Sequence, residues 1–338
     1  MSILVDLKSL SDLLPLAKLL PVADAAAIEG AKERQNMLTK PPGSLGRLED
    51  LAVFMAGWLG TDRPRIAKAQ AVVFAGNHGV CAQGVNPYPQ EVTVQMVANF
   101  SAGGAAINQL CRASGADLSV VALDLDTPTA DFTTAPAMTE AETLDAMRRG
   151  AEAVQHDAQV LVLGEMGIGN STVAAALALA CFGGEASEWV GRGTGSDAAG
   201  KALKAQVIAK GAALHAGAKG GAILAALGGR EQAAICGAVL EARANRIPVI
   251  LDGFICTAAV APLYALDPAL LDHCVVGHVS TEPGHAKLLS AMEKEPILSM
   301  RMALGEGSGA ALALGVLRAA LECHNGMATF AEAGVSDA

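Results

Sequence analysis

The sequence predicts an α/β protein, with a parallel sheet flanked by helices on both faces in a Rossmann-like, three-layer arrangement. Three observations predict it. Short apolar segments alternate with helical segments, these apolar segments contain few polar positions, and 52% of the 338 residues are hydrophobic. Alternating strands and helices are typical of parallel sheets, whose strands are buried on both faces. The length corresponds to one large domain or two.

The elements follow from the local sequence in chain order. Helices are predicted at 22–38 and 47–59, on either side of the loop TKPPGSLGR, whose prolines and glycines interrupt helical structure. Short apolar runs that end in glycine or acidic residues are predicted to be strands, at 70–79, 117–126, 158–167, 247–254 and 273–280. Helical patterns fall between them, at Thr139 to His156, Asp197 to Ala216 and Glu231 to Asn245.

The helical character of both chain ends predicts a second, smaller unit. Residues 1–60 and 310–338 are expected to pack together as a small helical subdomain, and residues 61–309 are expected to form the large α/β domain. Ligands of parallel α/β sheets bind outside the carboxyl ends of the strands, so the large domain is expected to carry the site.

Composition and charge argue against several classes of function. The net charge is −10 and lysine and arginine form no cluster, which disfavours nucleic-acid binding. No apolar run approaches the length of a membrane span, and the N-terminal residues lack the basic region and cleavage site of a signal peptide. The seven cysteines form no C-x-x-C pair, which indicates free thiols and a cytoplasmic protein.

The segment GEMGIGNST, residues 164–172, has features of an anion site. It follows a predicted strand and leads into a helix, and Gly167 and Gly169 allow a tight turn. Asn170 and Ser171 are typical of helix N-termini, whose free N–H groups bind phosphate. Glycine and serine are also common in ordinary strand-to-helix turns, so this pattern alone leaves both interpretations open.

A second glycine-rich loop, VGRGTGSDAAGK at 190–201, also precedes a helix. It resembles a nucleotide-binding P-loop, but Ala202 stands where the magnesium-binding serine or threonine belongs, which argues against a nucleoside triphosphatase. Gly193 and Gly195 are predicted to surround part of a phosphate ester, with Lys204 as its countercharge. A solvated lysine is the alternative for Lys204.

A polar loop at 76–96 separates the first predicted strand from the next helix. It holds Tyr88 between two prolines, and a rigid aromatic wall of this kind suits a flat ring. The alternative is a rigid turn before a helix that begins near Glu91. No metal site is expected, because zinc-ligand spacing is missing among the candidate histidines His78, His273, His278 and His285.

Two glutamates lie in glycine-rich, apolar surroundings. Glu165 is in GEMG, and Glu306 is in LGEGSGAALA, residues 304–313. A carboxylate buried in such a pocket has a raised pKa, because desolvation disfavours its charged form, and a raised pKa suits a general base. The alternative for Glu306 is a surface residue that favours the positive end of the following helix.

A set of short motifs occurs in the same order as in one known family: KPPGSLGRLE, FAGNHGV, YPQEVTVQMVANF, GGAAIN, GEMGIGNST, GRGTG, DGFICTAA, GHVSTEPGH and LGEGSGAALA. Over about residues 30–320, the chain closely resembles the nicotinate-nucleotide–dimethylbenzimidazole phosphoribosyltransferases of cobalamin biosynthesis.

The resemblance implies that ribose 5-phosphate moves from nicotinate mononucleotide to 5,6-dimethylbenzimidazole, giving α-ribazole 5′-phosphate and nicotinate, without a cofactor and in a homodimer. It implies that Glu306 removes the benzimidazole N–H proton while the other ring nitrogen attacks C1′ with inversion, and that Glu165 is a second acid of the pocket. The ribose and phosphate are expected at Gly167, Asn170, Ser171, Gly193, Gly195, Lys204, Asp252 and Ser280. The base is expected at Tyr88, Gln95, Met166 and Leu304.

The chain departs from the family pattern at one place. GVNPYP, with Asn86 and Pro87, stands where a serine-containing GVSAYP is expected, so the ranking of benzimidazole, adenine and phenolic acceptors is open. Two other classes remain as alternatives. One is a non-catalytic protein that binds a nucleotide or base, and the other is a doubly wound dehydrogenase, for which GNHGV does not supply the required G-x-G-x-x-G.

Overall fold

The computed structural model describes residues 3–4, 7–193 and 195–336. Its strands are β1 Ala69–Ala75, β2 Ala116–Ala122, β3 Val160–Met166, β4 Val249–Leu251, β5 Cys274–His278 and β6 Pro296–Leu298. Within the described residues they form one sheet in the order β2-β1-β3-β4-β5-β6, and every neighbouring pair is parallel.

The α-helices of the described residues are α1 Leu13–Ala17, α2 Ala25–Met37, α3 Arg47–Leu59, α4 Glu91–Ala102, α5 Ala106–Ser114, α6 Glu140–Glu152, α7 Asn170–Phe182, α8 Ala186–Trp189, α9 Ala198–Leu214, α10 Gly221–Leu227, α11 Arg230–Ala244, α12 Phe254–Ala259, α13 Ala261–Leu266, α14 Pro283–Ala291, α15 Ser308–Gly326 and α16 Phe330–Ala333. Short 3-10 helices lie at Leu10–Asp12, Gly79–Gln83 and Pro268–Leu271.

The predicted elements are present, and most of them are shorter than predicted, although the helix predicted at 47–59 has those bounds. All five predicted strands occur, and the helices predicted around 22–38, 47–59, 139–156, 197–216 and 231–245 are α2, α3, α6, α9 and α11. The polar loop predicted at 76–96 ends earlier, because α4 begins at Glu91. Strand β6 was not predicted, because its three residues are too short a run to show a pattern.

Successive strand residues point to opposite faces, and both faces are buried. Val72 and Phe74 of β1 belong to a hydrophobic cluster that includes residues of α6, α7 and α11. Ala71 and Val73 belong to a second cluster, which includes residues of α3, α5 and α15. Because strand side chains alternate between faces, the sheet must lie between two helical layers. The predicted three-layer α/β fold is confirmed.

The strand order changes direction between β1 and β3. Strand β2 lies on one side of this pair, and β4, β5 and β6 follow on the other side. Such a point in an open parallel sheet leaves a crevice at the carboxyl ends of its strands. The register pairs Phe74 with Glu165 and Ala75 with Met166, so the GEMG motif lies at this crevice.

The two chain ends make different contacts. In α2, the Arg34 guanidinium donates to backbone carbonyl oxygens near the end of α15, including that of His324 at 2.7 Å. Leu10 and Leu13 instead pack near α10, where a Cβ on Gly221 would lie 2.9 Å from Leu13. The division into 1–60 plus 310–338 and 61–309 stays a prediction. Residues 1–2, 5–6, 194 and 337–338 of these ranges lie outside the described residues.

Of the helices that the structure describes, none combines the length and the apolar character needed to cross a bilayer. All seven cysteines are among the described residues, and each is a free thiol.

Candidate active site

A cleft of about 790 Å³, including its part open to solvent, lies at the carboxyl ends of β3, β4 and β5. It is lined by Asn86, Glu165 to Ser171, Gly193, Lys204, Asp252 to Ile255, His278, Ser280, Glu282 and Ala303 to Glu306. A larger groove of about 1260 Å³ lies elsewhere, along residues 130–142 and 214–226. Neither lysine nor arginine is among the residues that line this groove, so it is poorly suited to a phosphate ester.

Glu165 is the last residue but one of β3, and its carboxyl group is buried against Asn170 at the start of α7. The side-chain amide of Asn170 donates to Oε2 of Glu165. Burial is the main cause that raises the pKa of Glu165 to about 8, and the nearby charges of Asp252 and Glu231 raise it further. Glu165 is therefore mostly protonated at neutral pH.

Glu306 lies in an uncommon backbone conformation, with φ of 64° between Gly305 and Gly307, which both have φ of 84°. A left-handed residue other than glycine is strained, and such strain is found at functional sites. A Cβ on Gly164 would lie 2.5 Å from the Glu306 carbonyl oxygen, and a Cβ on Gly305 would lie 2.6 Å from Oε1 of Glu165. The two glycine–glutamate motifs therefore pack directly on each other.

The carboxyl group of Glu306 is buried, with 6% of the residue exposed. Burial raises its pKa, and a backbone hydrogen bond from Ile107 opposes the rise. Its Oε2 has no hydrogen-bond partner among the described residues, although it lies in the cleft wall. The predicted direction of the pKa shift is confirmed, and the surface alternative for Glu306 is wrong.

Asp252 follows β4 and binds the first turn of α15. Its Oδ1 accepts the backbone N–H of Ala310 at 2.9 Å, and its Oδ2 accepts that of Gly307 at 3.2 Å. His278, at the end of β5, lies with Nε2 3.5 Å from Oδ1 of Asp252. Gly309 leaves the space for this histidine, since a Cβ there would lie 1.9 Å from the ring. Asp252 thus joins the end of β4 to the Glu306 turn, and the His278 ring of β5 lies beside it.

Lys204 enters the cleft from α9 and is 3% exposed. Its Nζ donates to the Ser171 hydroxyl at 3.3 Å, and a Cβ on Gly193 would lie 2.8 Å from it. Burial lowers the pKa of Lys204, and the negative charge of Glu282 opposes this. The solvated alternative for Lys204 is therefore wrong. An ammonium, a hydroxyl and the N-terminus of α7 together suit an anionic group.

Most of the predicted site residues meet in this cleft. Those among its lining are Glu165, Met166, Gly167, Asn170, Ser171, Gly193, Lys204, Asp252, Ser280, Leu304 and Glu306. Three of the predicted site residues do not line the cleft. Tyr88 is 50% exposed, Gln95 is exposed on α4, and Gly195 is exposed in the loop that precedes α9.

Sequence reasoning missed several cleft residues. Phe254 and Ile255 begin α12 and supply apolar wall, His278 ends β5, and Glu282 precedes α14. In the sequence, His278 was a candidate only as a metal ligand. Its position at the end of a strand was the available signal, since the carboxyl ends of parallel strands meet at one edge. In the described part of the chain, no group of three or more histidine, cysteine or acidic residues is arranged to hold a metal ion.

Comparisons with known proteins identify one family. A family model described as phosphoribosyltransferase matches residues 20–335. A nicotinate-nucleotide–dimethylbenzimidazole phosphoribosyltransferase from Rhodobacter capsulatus is 66% identical over 331 residues, covering 98% of this chain and 97% of the relative. An enzyme of the same name from Ruegeria pomeroyi is 60% identical over 334 residues, covering 99% of this chain and 98% of the relative.

A solved structure extends the similarity to the fold. The crystal structure of CobT from Thermus thermophilus superposes with a TM-score of 0.86 at 41% identity, covering 93% of this chain and all of the other. Sequence identity over nearly the full length, together with the same fold, shows the family. The chain belongs to the family of nicotinate-nucleotide–dimethylbenzimidazole phosphoribosyltransferases.

Proposed function

We propose that this protein transfers the ribose 5-phosphate of nicotinate mononucleotide to 5,6-dimethylbenzimidazole, giving α-ribazole 5′-phosphate and nicotinate for cobalamin biosynthesis. The proposal includes Glu306 as general base and inversion at C1′. One observation carries it: Glu306 is buried in the cleft wall, yet its Oε2 is free of hydrogen bonds within the described structure. The named relatives support the choice of substrates.

The chemistry follows from the charges of the two substrates. Nicotinate is bound to ribose as a pyridinium, so the C1′–N bond breaks with its electron pair moving to the ring nitrogen, and no metal or acid is needed for departure. One benzimidazole nitrogen forms the new bond to C1′ from the opposite side, and the N–H proton of the other nitrogen passes to Glu306. A carboxylate with a raised pKa is a stronger base than an exposed one.

Glu165 has a different role in this proposal. Because its pKa is about 8, it is mostly uncharged at neutral pH and a poor proton acceptor there. We propose that it orients the acceptor ring beside Glu306, while Asn170 fixes its carboxyl group through their hydrogen bond. Holding two substrates in one geometry supplies much of the acceleration in reactions of this kind.

The remaining residues divide between the two substrates. The donor phosphate is proposed to bind Lys204, Ser171 and the backbone around Gly193, where the only ammonium among the cleft-lining residues lies. Gly167, Asp252 and Ser280 are proposed on the ribose side, and Met166 and Leu304 are proposed to contact the acceptor. Tyr88, Gln95 and Gly195 do not line the cleft, and we leave them out of the proposal.

We also propose that the protein acts as a homodimer in the cytoplasm, as the resemblance implies, with the terminal helices forming the small subdomain. Sedimentation equilibrium tests the dimer, since a single chain has a mass of 34.2 kDa. A sedimenting mass near that value at working concentrations contradicts it.

Separation of the products by chromatography with ultraviolet detection tests the reaction. We expect nicotinate to be released from the mononucleotide only when dimethylbenzimidazole is present. Glu306→Gln is expected to lower kcat by about 10²- to 10⁴-fold, the usual contribution of a general base. Glu322→Gln is the matched control, because it removes an exposed carboxylate of the same helix region.

The same assay separates the competing class of function. A non-catalytic binding protein would release no nicotinate under either condition while still binding a nucleotide or base. An unchanged rate in Glu306→Gln would leave the reaction in place and remove this residue from the proton transfer. The wild-type measurement tests the reaction and the variant tests the role of Glu306, so failure of one proposal can be told from failure of the other.

A further inference from the structure

The phosphate side of the cleft contains a carboxylate that the proposed reaction does not use. Glu282 lines the cleft, and its Oε1 accepts the backbone N–H of Gly193 at 2.9 Å. We propose that Glu282 is an internal competitor of the substrate phosphate: its carboxylate occupies the Gly193 N–H until a phosphate ester displaces it. This inference rests on the proposed function, because it concerns the donor side of the same site.

The loop that precedes α9 is shaped around this carboxylate. A Cβ on Gly191 would lie 1.8 Å from Oε2 of Glu282, so a larger residue at position 191 would force this carboxylate to move. Gly193 has φ of 50°, a left-handed conformation that aims its N–H at Oε1. The backbone N–H of Glu282 in turn donates to the Ser280 hydroxyl at 3.3 Å. Glu282 therefore organises the loop around Gly193.

The charges of Glu282 and Lys204 determine how this contact affects phosphate binding. Lys204 is a buried ammonium, and a buried charge requires a partner of opposite sign. The negative charge of Glu282 acts on Lys204, since it opposes the lowering of the lysine pKa by burial. A phosphate dianion bound between Lys204 and Gly193 would take over the role of countercharge to Lys204. The negative carboxylate of Glu282 would repel it. Phosphate and the carboxylate of Glu282 therefore compete for the same loop.

The competition predicts which ligands are affected. A phosphate ester must displace Glu282, so its observed affinity is reduced by the cost of that exchange. A donor without the phosphate, nicotinate riboside, does not enter the loop and leaves the Gly193 contact in place. Dimethylbenzimidazole binds on the Glu306 side and is equally independent of it. Glu282 is thus a specificity-determining residue that acts on phosphate affinity alone.

Titration with inorganic phosphate by calorimetry tests this directly, without either substrate. Glu282→Gln keeps an oxygen that can accept the Gly193 N–H but removes the negative charge. We expect it to bind inorganic phosphate about three- to tenfold more tightly than wild type, the size of one like-charge repulsion in a partly exposed site. Glu322→Gln makes the same change in net charge at an exposed position and is expected to match wild type.

Steady-state kinetics provide a second test of the competition between Glu282 and phosphate. For Glu282→Gln we expect the KM for nicotinate mononucleotide to fall by a similar factor, with the KM for dimethylbenzimidazole and the rate with nicotinate riboside unchanged. Lys204→Met is expected to act in the opposite direction, raising the KM for the mononucleotide by about tenfold or more through loss of the countercharge. A carboxylate that only supports the loop would give the opposite result, because its loss would disorder the phosphate contacts and raise the KM for the mononucleotide.

Unchanged or weaker phosphate binding in Glu282→Gln would overturn the proposal. If that variant does not fold, the wild-type protein still decides the matter through a crystal structure with inorganic phosphate bound. We expect Oε1 of Glu282 to have left the Gly193 N–H in that structure, and a retained hydrogen bond there would refute the competition. A wild-type protein that binds phosphate but makes no α-ribazole phosphate would contradict the proposed function and leave this test intact.

Discussion

Asp252 accepts the backbone N–H of Gly307 at 3.2 Å, and this bond joins the end of β4 to the residue that follows Glu306. The other carboxylate oxygen of Asp252 accepts the N–H of Ala310 at 2.9 Å. Helix N-termini leave such N–H groups without partners, and a carboxylate satisfies them with favourable charge. One buried side chain therefore holds the strained turn from which Glu306 reaches the cleft.

Asp252→Asn is expected to lower both stability and activity. An amide group offers only one accepting oxygen, so its NH₂ group would face the N–H of Gly307 or of Ala310, and one of these would lose its partner. A buried unpaired N–H costs about 1–3 kcal/mol, and we expect the free energy of unfolding in urea to fall by about that amount. We expect kcat to fall by at least about tenfold, because the Glu306 turn is released.

A matched control separates these two effects. Asp267 accepts the N–H of Ala269 at 3.0 Å outside the cleft, at the start of a 3-10 helix. Asp267→Asn is expected to lower stability slightly and to leave kcat unchanged. Full activity in Asp252→Asn would show that the Glu306 turn keeps its conformation without the carboxylate.

The pKa of Glu165 predicts a dependence of stability on pH. The pKa is about 8 in the folded protein against an ordinary value of 4.5, so the folded state holds this proton more tightly than the unfolded chain. The resulting stabilisation is fully present below about pH 4.5 and is lost as the pH rises to about 8. Within that window the loss amounts to at most about 1.4 kcal/mol per pH unit.

Glu165→Gln removes this titration, since glutamine is uncharged at every pH. We expect the stability of the variant relative to wild type to increase steadily between about pH 4.5 and pH 8, measured by urea denaturation at several pH values. Glu322→Gln serves as the control and is expected to follow the wild-type curve. Parallel curves for Glu165→Gln and wild type would mean that Glu165 is ionised in the folded protein at neutral pH.

The sequence was sufficient to predict the three layers of the fold and the edge of the sheet at which the site lies. Apolar strands alternate with helices, and this pattern alone determines that the strands are parallel and that their carboxyl ends meet. For Glu306, the glycine-rich and apolar neighbours support burial as a hypothesis, with a surface residue as the alternative. For Lys204, the sequence predicts a countercharge to phosphate and does not predict burial. Their position in one cleft was implied by the family motifs rather than by periodicity.

The contacts that shape the site could not be predicted from local pattern. Gly164 is glycine because the Glu306 carbonyl packs against it, although the two residues are far apart in the chain. The role of Glu282 depends on a contact with a loop almost ninety residues earlier. Tyr88 shows that a strong local pattern can also mislead. An aromatic residue between two prolines predicts a rigid wall of the site, but Tyr88 is half exposed.

Asn86 marks the place where this chain departs from the family pattern, and it lines the cleft. Its Nδ2 donates to the backbone oxygen of Tyr88 at 2.6 Å, while its Oδ1 is buried and has no partner in the described parts of the chain. A buried acceptor without a donor favours a ligand that supplies one. We therefore expect Asn86 to favour acceptors that carry an exocyclic amino group, such as adenine.

Asn86→Ser is expected to lower the ratio of kcat/KM for adenine to that for dimethylbenzimidazole by about tenfold, the value of one hydrogen bond of about 1.4 kcal/mol. The measurement is a competition assay in which both bases are present and the two nucleotide products are separated by chromatography. Asn86→Asp is the comparison variant, because it keeps an accepting oxygen while it replaces the Nδ2 donor to Tyr88 with a charged carboxylate oxygen. If serine and aspartate lower the rates with both bases equally, Asn86 acts through the conformation of its loop, and the free oxygen has no part in choosing the base.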